Sequence, residues 1–236
     1  MPHSPSVILL DIEGTTLPVA FVHKVLFPYA RKALPTLIRE RGNDPAVQTA
    51  LKETQAAAPG VKPLDQLMAW MDQDAKVAPL KALQGIVWAD GYASGALVAT
   101  LFPDVPPALR AWKQAGLTLA VYSSGSAPAQ RLIYGHTTDG DLTSLFSAFL
   151  DLDMGGKKDA ASYQRILETM KWNASDVLFV SDVVAELDAA QISGLLTCQM
   201  VRPEDGTVAG QSHPVAHSIA EVASLFHLPA PESRAN

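Results

Sequence analysis

Val7-Ile8-Leu9-Leu10-Asp11-Ile12-Glu13-Gly14-Thr15-Thr16 runs four apolar residues straight into a carboxylate. An unbroken apolar run of that length, close behind Pro5, reads as a strand covered on both faces, the habit of parallel sheets. Asp11 is the wrong group to bury without a purpose. Glu13 lies two residues further on, so in an extended chain both acids point the same way. Gly14 lets the backbone leave the strand in a conformation that other residues avoid. Thr15 and Thr16 bring hydroxyls and N–H groups to the turn. Two acids and small donors at a strand's carboxyl end suit a divalent cation and a phosphoryl group. Taken alone, the stretch is equally a strand ending in a turn, with Asp11 capping the next segment.

Working outward, the character changes after Thr16. From Pro18 to about Thr100 there is no strand signal, only helical spacing. Phe21, Val25, Leu26 and Tyr29 share one face, which Leu34, Leu37 and Ile38 continue past Pro35. Ala46 to Ala57 is helix-prone, and Gly60 and Pro63 punctuate it. Leu64, Leu67, Met68 and Met71 mark another helix, and Leu80, Leu83, Ile86 and Val87 a further one. A stretch this long is no loop. It reads as a helical insertion after the first strand.

Regular alternation of strand and helix begins at Pro103. Leu117 to Tyr122 is a strand that stops on Ser123-Ser124-Gly125-Ser126, and a helix from Pro128 to about Tyr134 comes next. Leu145 to Leu152 is apolar and mixed, with a short strand near Phe149. Asp159 caps a helix whose buried face is Tyr163, Ile166, Leu167 and Met170. Val177 to Val180 is a third buried strand, ending on Ser181-Asp182. A helix to Ile192, with Gly194 past its end, leads to a strand from Leu195 to Val201. Ile219, Val222, Ala223 and Phe226 form a last amphipathic helix. The expected fold class is α/β, a Rossmann-like parallel-sheet core of residues 1–17 and 101–228, with the helical insertion at 18–100 and a flexible tail at 229–236.

Composition narrows the partners. The chain has 236 residues, 48% hydrophobic and 18% charged, with a net charge of −6 and no basic cluster, which argues against nucleic acid and anionic membranes. The lone Cys198 forms no internal disulfide and sits in an apolar stretch, as a buried thiol would. With no signal peptide and no apolar run of membrane-spanning length, the expected location is the cytoplasm. Nothing reads as a large exposed apolar seam, so the expected state is a monomer.

In open parallel sheets the polar strand tips converge on one site. Here they would gather Asp11 with Glu13, Ser123 with Ser124, Lys157, and Asp182. Asp11 and Asp182 are oxygen ligands of the kind Mg2+ takes. A carboxylate can attack phosphorus and form an aspartyl-phosphate. The cation, Ser123, backbone N–H groups and Lys157 would neutralise the transferring group. Glu13 would protonate the leaving oxygen and then activate water.

These four elements resemble the motifs of the haloacid dehalogenase-like hydrolases. Asp11-Ile12-Glu13-Gly14-Thr15-Thr16 has Glu where most phosphatases of that superfamily have Asp. Together with Tyr122 to Ser126, Ala129-Gln130-Arg131-Leu132, Tyr134 to Asp141, and Trp88 to Gly95 leading to Phe102-Pro103-Asp104-Val105, it is similar to the enolase-phosphatases (acireductone synthases) of methionine salvage. The resemblance implies Mg2+ held by Asp11, Asp182 and Glu13, the last through its backbone carbonyl. It further implies Asp11 as nucleophile, Ser123, Ser124 and Lys157 on the substrate phosphate, and the helical insertion as a cap. The implied reaction enolises a small phosphorylated diketone, 2,3-diketo-5-methylthiopentyl-1-phosphate, and removes phosphate to leave the acireductone. Gly156 stands where many members have His, and Lys158 duplicates the charge of Lys157. Ser181 replaces the more usual Thr.

Each residue also has a plainer reading: Lys157 as a surface lysine, Ser123 as a turn residue, Asp182 as a helix cap. Their order and their places at strand ends favour the joint functional reading. The alternatives are another small-molecule phosphatase of the same superfamily, which would keep every catalytic residue, and a non-catalytic binding module, which would lose Asp11 or Asp182. His213 and His217 are separated by Pro214 and lack a third ligand, so both are expected at the surface. Trp88 and Tyr92 are expected to pack.

Overall fold

A computed structural model describes residues 4–230 and divides them into two compact units, 4–19 with 99–230, and 20–98. The first unit is built on six parallel strands: β1 (Val7–Leu10), β2 (Thr118–Tyr122), β3 (Phe146–Leu150), β4 (Val177–Ser181), β5 (Leu196–Met200) and β6 (Val215–Ala216). Their spatial order is β3-β2-β1-β4-β5-β6. The chain therefore enters at the middle, builds outward in one direction, then returns to build in the other. Such a reversal leaves a crevice at the carboxyl ends of the two central strands, here β1 and β4. In chain order the helices of this unit are α6 (Val105–Gln114), α7 (Ala127–Gly135), α8 (Ala160–Met170), α9 (Val184–Ile192) and α10 (Ile219–Leu225).

The register puts the strand tips level. Leu10 lies opposite Val121 on one side and Val180 on the other. Asp11 N–H extends the ladder by donating to Val180 O at 3.0 Å. The polar residues just past each strand thus emerge at one rim. All four residues of β1 are buried, as are those of Val177–Ser181. Val7 and Leu9 share a core with Ala120, Tyr122 and Phe179, covered by Tyr163 and Ile166 of α8 and by Leu187 and Ala190 of α9. Asp159 caps α8 by accepting from Ala161 N–H at 3.0 Å. β6 is too short to leave a periodic signal in the sequence. At the chain's end the indole N–H of Trp112 donates to Pro229 O at 3.0 Å, and residues 231–236 of the expected tail lie outside the described ones.

The second unit is helical. Its elements are α1 (Val19–Phe21, which starts in the first unit), a π-helical turn at Val22–Leu26, α2 (Phe27–Arg41), α3 (Pro45–Ala57), α4 (Pro63–Asp72) and α5 (Ala78–Ala93). Ala30, Leu34 and Leu37 of α2 pack with Val47, Ala50, Leu67, Leu80, Leu83 and Val87. α2 runs unbroken across Pro35. The π turn corrects the expected face. Its wider winding rotates the residues within it, so Val22 is buried and Val25 is exposed. Trp88 lies half-buried, donates its indole N–H to Leu26 O at 3.0 Å and stacks on Phe27. Trp88 and the buried Tyr92 both belong to α5.

Candidate active site

β1 ends at Leu10, and the chain then wraps tightly. Thr15, Thr16 and Leu17 all direct N–H groups at Ile12 O, at 3.2, 2.8 and 2.9 Å. Gly14 turns the corner at φ +70°, and a Cβ there would meet Asp182 Oδ2 at 2.6 Å. Only glycine permits both the conformation and the approach of the β4 loop. Thr16 braces the turn, its hydroxyl 2.7 Å from the hydroxyl of the wholly buried Tyr134.

A cavity of about 200 Å3 opens at this point, lined by Asp11, Glu13, Val19, Ser123, Ser124, Lys157, Asp182, Val183 and Glu186. Asp11, Glu13, Ser123, Ser124, Lys157 and Asp182, the site residues expected from the sequence, all lie on its wall. Asp11 and Lys157 are buried, and Lys157 Nζ stands 2.6 Å from Asp11 Oδ1 and 2.7 Å from Glu186 Oε2. Burial pulls the lysine down, but Asp11 and Glu186 outweigh it and hold the ammonium above its ordinary value. The neighbouring Lys158 is exposed, so Lys157 is the lysine that reaches the cavity. Its backbone is fixed too: Tyr163 donates its hydroxyl to Lys157 O at 2.7 Å. On the β2 side, Ser123 N–H donates to Leu150 O at 3.1 Å, and Gln130 ties Gly125 O and Leu150 O together.

Sequence reasoning missed Glu186. It lies in the first turn of α9, buried, and accepts from Ser181 Oγ at 3.0 Å in addition to its bond with Lys157. Ser181 Oγ lies 3.2 Å from Asp11 Oδ2 as well. The one available signal was an acid set among Val183, Val184, Ala185 and Leu187, a turn otherwise apolar. His213 is a second correction. Its ring is buried between Thr197 Oγ1, at 2.9 Å, and Asp188 Oδ1, at 3.0 Å. His217 is exposed, as expected. His136 is not on the cavity wall; its Nδ1 meets Leu132 O at 3.0 Å.

The charge in this cavity is unbalanced. Asp11, Glu13, Asp182 and Glu186, four acidic residues, line it with a single lysine. Burial, then Asp11 and Glu186, push the Asp182 carboxyl up to about 7, and burial and Asp11 raise Glu186 as well. An excess of carboxylate oxygen in a small cleft, with no nitrogen or sulfur ligand on its wall, fits a hard divalent cation. Among the described residues no three His, Cys, Asp or Glu groups gather into a complete metal cage. Oxygen donors of this kind, completed by backbone, water and phosphate oxygens, are those a hard cation such as Mg2+ takes.

Comparison with known proteins points the same way. Residues 5–194 match the haloacid dehalogenase-like hydrolase family. Enolase-phosphatase E1 of Gluconacetobacter diazotrophicus is 65% identical over 222 residues, 94% of this chain and 94% of that one. Enolase-phosphatase E1 of Acidiphilium cryptum is 54% identical over 98% of this chain and 100% of its own length. Among solved structures, the UTR4 protein of Saccharomyces cerevisiae superposes with a TM-score of 0.78 at 34% identity, covering 91% of this chain and 98% of that one. An L-2-haloacid dehalogenase, RSc1362, shares the fold at a TM-score of 0.58 and 20% identity.

Proposed function

The chain belongs to the haloacid dehalogenase-like hydrolases, and from that premise we propose that it enolises 2,3-diketo-5-methylthiopentyl-1-phosphate and removes its phosphate to give the acireductone of methionine salvage. The observation that carries this reading is the likeness to enolase-phosphatases over nearly the full length of both chains. The cavity supplies chemistry that matches it. In this reading Asp11 attacks phosphorus and becomes the aspartyl-phosphate, and Glu13 protonates the leaving oxygen and later takes a proton from water. Ser123 and Ser124 bind the phosphate oxygens by hydrogen bonding. Lys157 orients Asp11 through its 2.6 Å contact and places its positive charge beside the transferring group. Asp11, Asp182 and the Glu13 backbone carbonyl would hold Mg2+. When bound, the cation supplies charge neutralisation that one lysine cannot.

No helix among the described residues is long and apolar enough to cross a membrane. The reading takes the protein as a monomeric cytoplasmic enzyme with a small-molecule substrate. It is tested by tracking phosphate release and enol absorbance together, with and without Mg2+. Both signals appearing only with the metal is the expected result. Phosphate released from simple esters but not from the diketo phosphate would leave a phosphatase of different specificity. Release from neither would favour a binding module.

A further inference from the structure

The segment after β5 makes polar contacts onto three separate pieces of the cavity's frame. Gln199, in β5, is 1% exposed, and all of its amide is engaged. Its Nε2 donates to Asp182 O at 3.1 Å and to Val208 O at 3.0 Å, and its Oε1 accepts from Gly210 N–H at 2.7 Å. Arg202, buried just past the strand, sends Nε and Nη2 to Thr15 O at 3.2 and 3.0 Å. Asp205 accepts from Val19 N–H at 3.0 Å. The far end is pinned by His213 between Thr197 and Asp188. Gly210 runs so close to α9 that a Cβ would meet Val184 Cγ2 at 2.9 Å.

We propose that residues 199–213 form a strap that fixes the β4 loop against the β1 loop, and that Gln199 is the positioning residue for Asp182. The proposal rests on the reading of Asp182 as a cation ligand. The physical reason lies in where the ladder stops. β4 pairs with β5 only as far as Ser181, opposite Gln199. The Asp182 carbonyl lies beyond that pairing, and the amide of Gln199 takes over where the sheet ends. A part-buried carbonyl deprived of its donor would turn toward water or another donor, carrying its own carboxylate with it. The cation would then meet two carboxylates whose separation is no longer fixed.

Calorimetric titration of the full chain with Mg2+ alone tests this without reference to turnover. Gln199→Met keeps the length and volume of the side chain and removes its hydrogen bonds. The expected result is a dissociation constant about tenfold higher, the usual effect of losing a partner that orients a ligand. At saturating Mg2+, phosphate release returns to within about threefold of the parent rate, because nothing that touches substrate has changed. Gln199→Leu removes the donations to Asp182 and Val208 without adding a charge, so it decides the matter if Gln199→Met fails to fold. Asp182→Asn is titrated alongside. Loss of Mg2+ binding in Asp182→Asn with unchanged binding in the folded Gln199 variants would overturn the strap and leave the ligand assignment standing. Unchanged binding in Asp182→Asn would remove both.

Discussion

The helical unit keeps its ion pairs in water, whereas the α/β unit also buries some of its own. Among the described residues, Arg31 with Asp72, Arg41 with Asp44 and Asp90, and Lys76 with Asp74 pair on the surface of residues 20–98. In the other unit Lys157 is buried with Asp11 and Glu186, and the buried Arg202 holds the more exposed Asp104. The buried polar side chains are divided in the same way. The helical unit has Thr54 and Gln84, and the Thr54 hydroxyl is satisfied within its own helix by Ala50 O at 2.7 Å. The α/β unit has many more, among them Asp11, Ser123, Ser181 and Arg202 at or just past strand ends, and Lys157, Glu186 and Gln199 beside them. One unit is held by apolar packing. The other also carries a desolvated polar network, which costs stability unless every member is paired and is what makes chemistry available there.

The contrast can be broken by substitution. The largest effect is expected from Asp11→Asn, which keeps the shape of the side chain but removes the nucleophile. Phosphate release should fall by more than about a thousandfold while the circular dichroism spectrum stays that of the parent. Normal turnover would remove Asp11 from its role. Lys157→Met comes next, since it leaves Asp11 and Glu186 facing each other without a cation. Urea unfolding in the absence of Mg2+ should show a loss of about 3–5 kcal/mol. A loss below about 1 kcal/mol would mean the pair is not desolvated as the structure shows it.

In the helical unit the damaging change is an apolar one. Leu67 is wholly buried among Leu34, Leu80 and Leu83, and Leu67→Ala should cost about 2–5 kcal/mol. Because the cavity wall comes entirely from the other unit, its Mg2+ titration should match the parent's. Weakened binding would show that the two units are not separable in this respect. The smallest effect belongs to Arg31→Gln, which breaks an exposed ion pair. The urea midpoint should move by less than about 1 kcal/mol equivalent, and a larger shift would erase the distinction drawn between the units.

The sequence alone was enough to read the layers of the molecule. An apolar run bounded by polar residues announces a strand, and β1, β2, β4 and β5 lie where their runs lie. The turn at Gly14 was legible because its backbone requires φ +70°. Asp11, Glu13, Ser123, Ser124 and Asp182 stood out because each trails an apolar strand, where chain-local reasoning applies, and Lys157 because it stands in the turn that opens α8 and matches the family motif. The face of the first helix was not legible at Val25, since a π turn adds a residue per turn and leaves no mark in composition. Glu186, Gln199 and His213 escaped for a different reason. What makes each of them matter is a partner from another part of the chain: Lys157 for Glu186, Asp182 O for Gln199, Thr197 and Asp188 for His213. Burial and hydrogen-bond pairing between distant segments belong to the folded arrangement, so the sequence determined the strands and their polar tips, and the tertiary structure decided which side chains hold those tips in place.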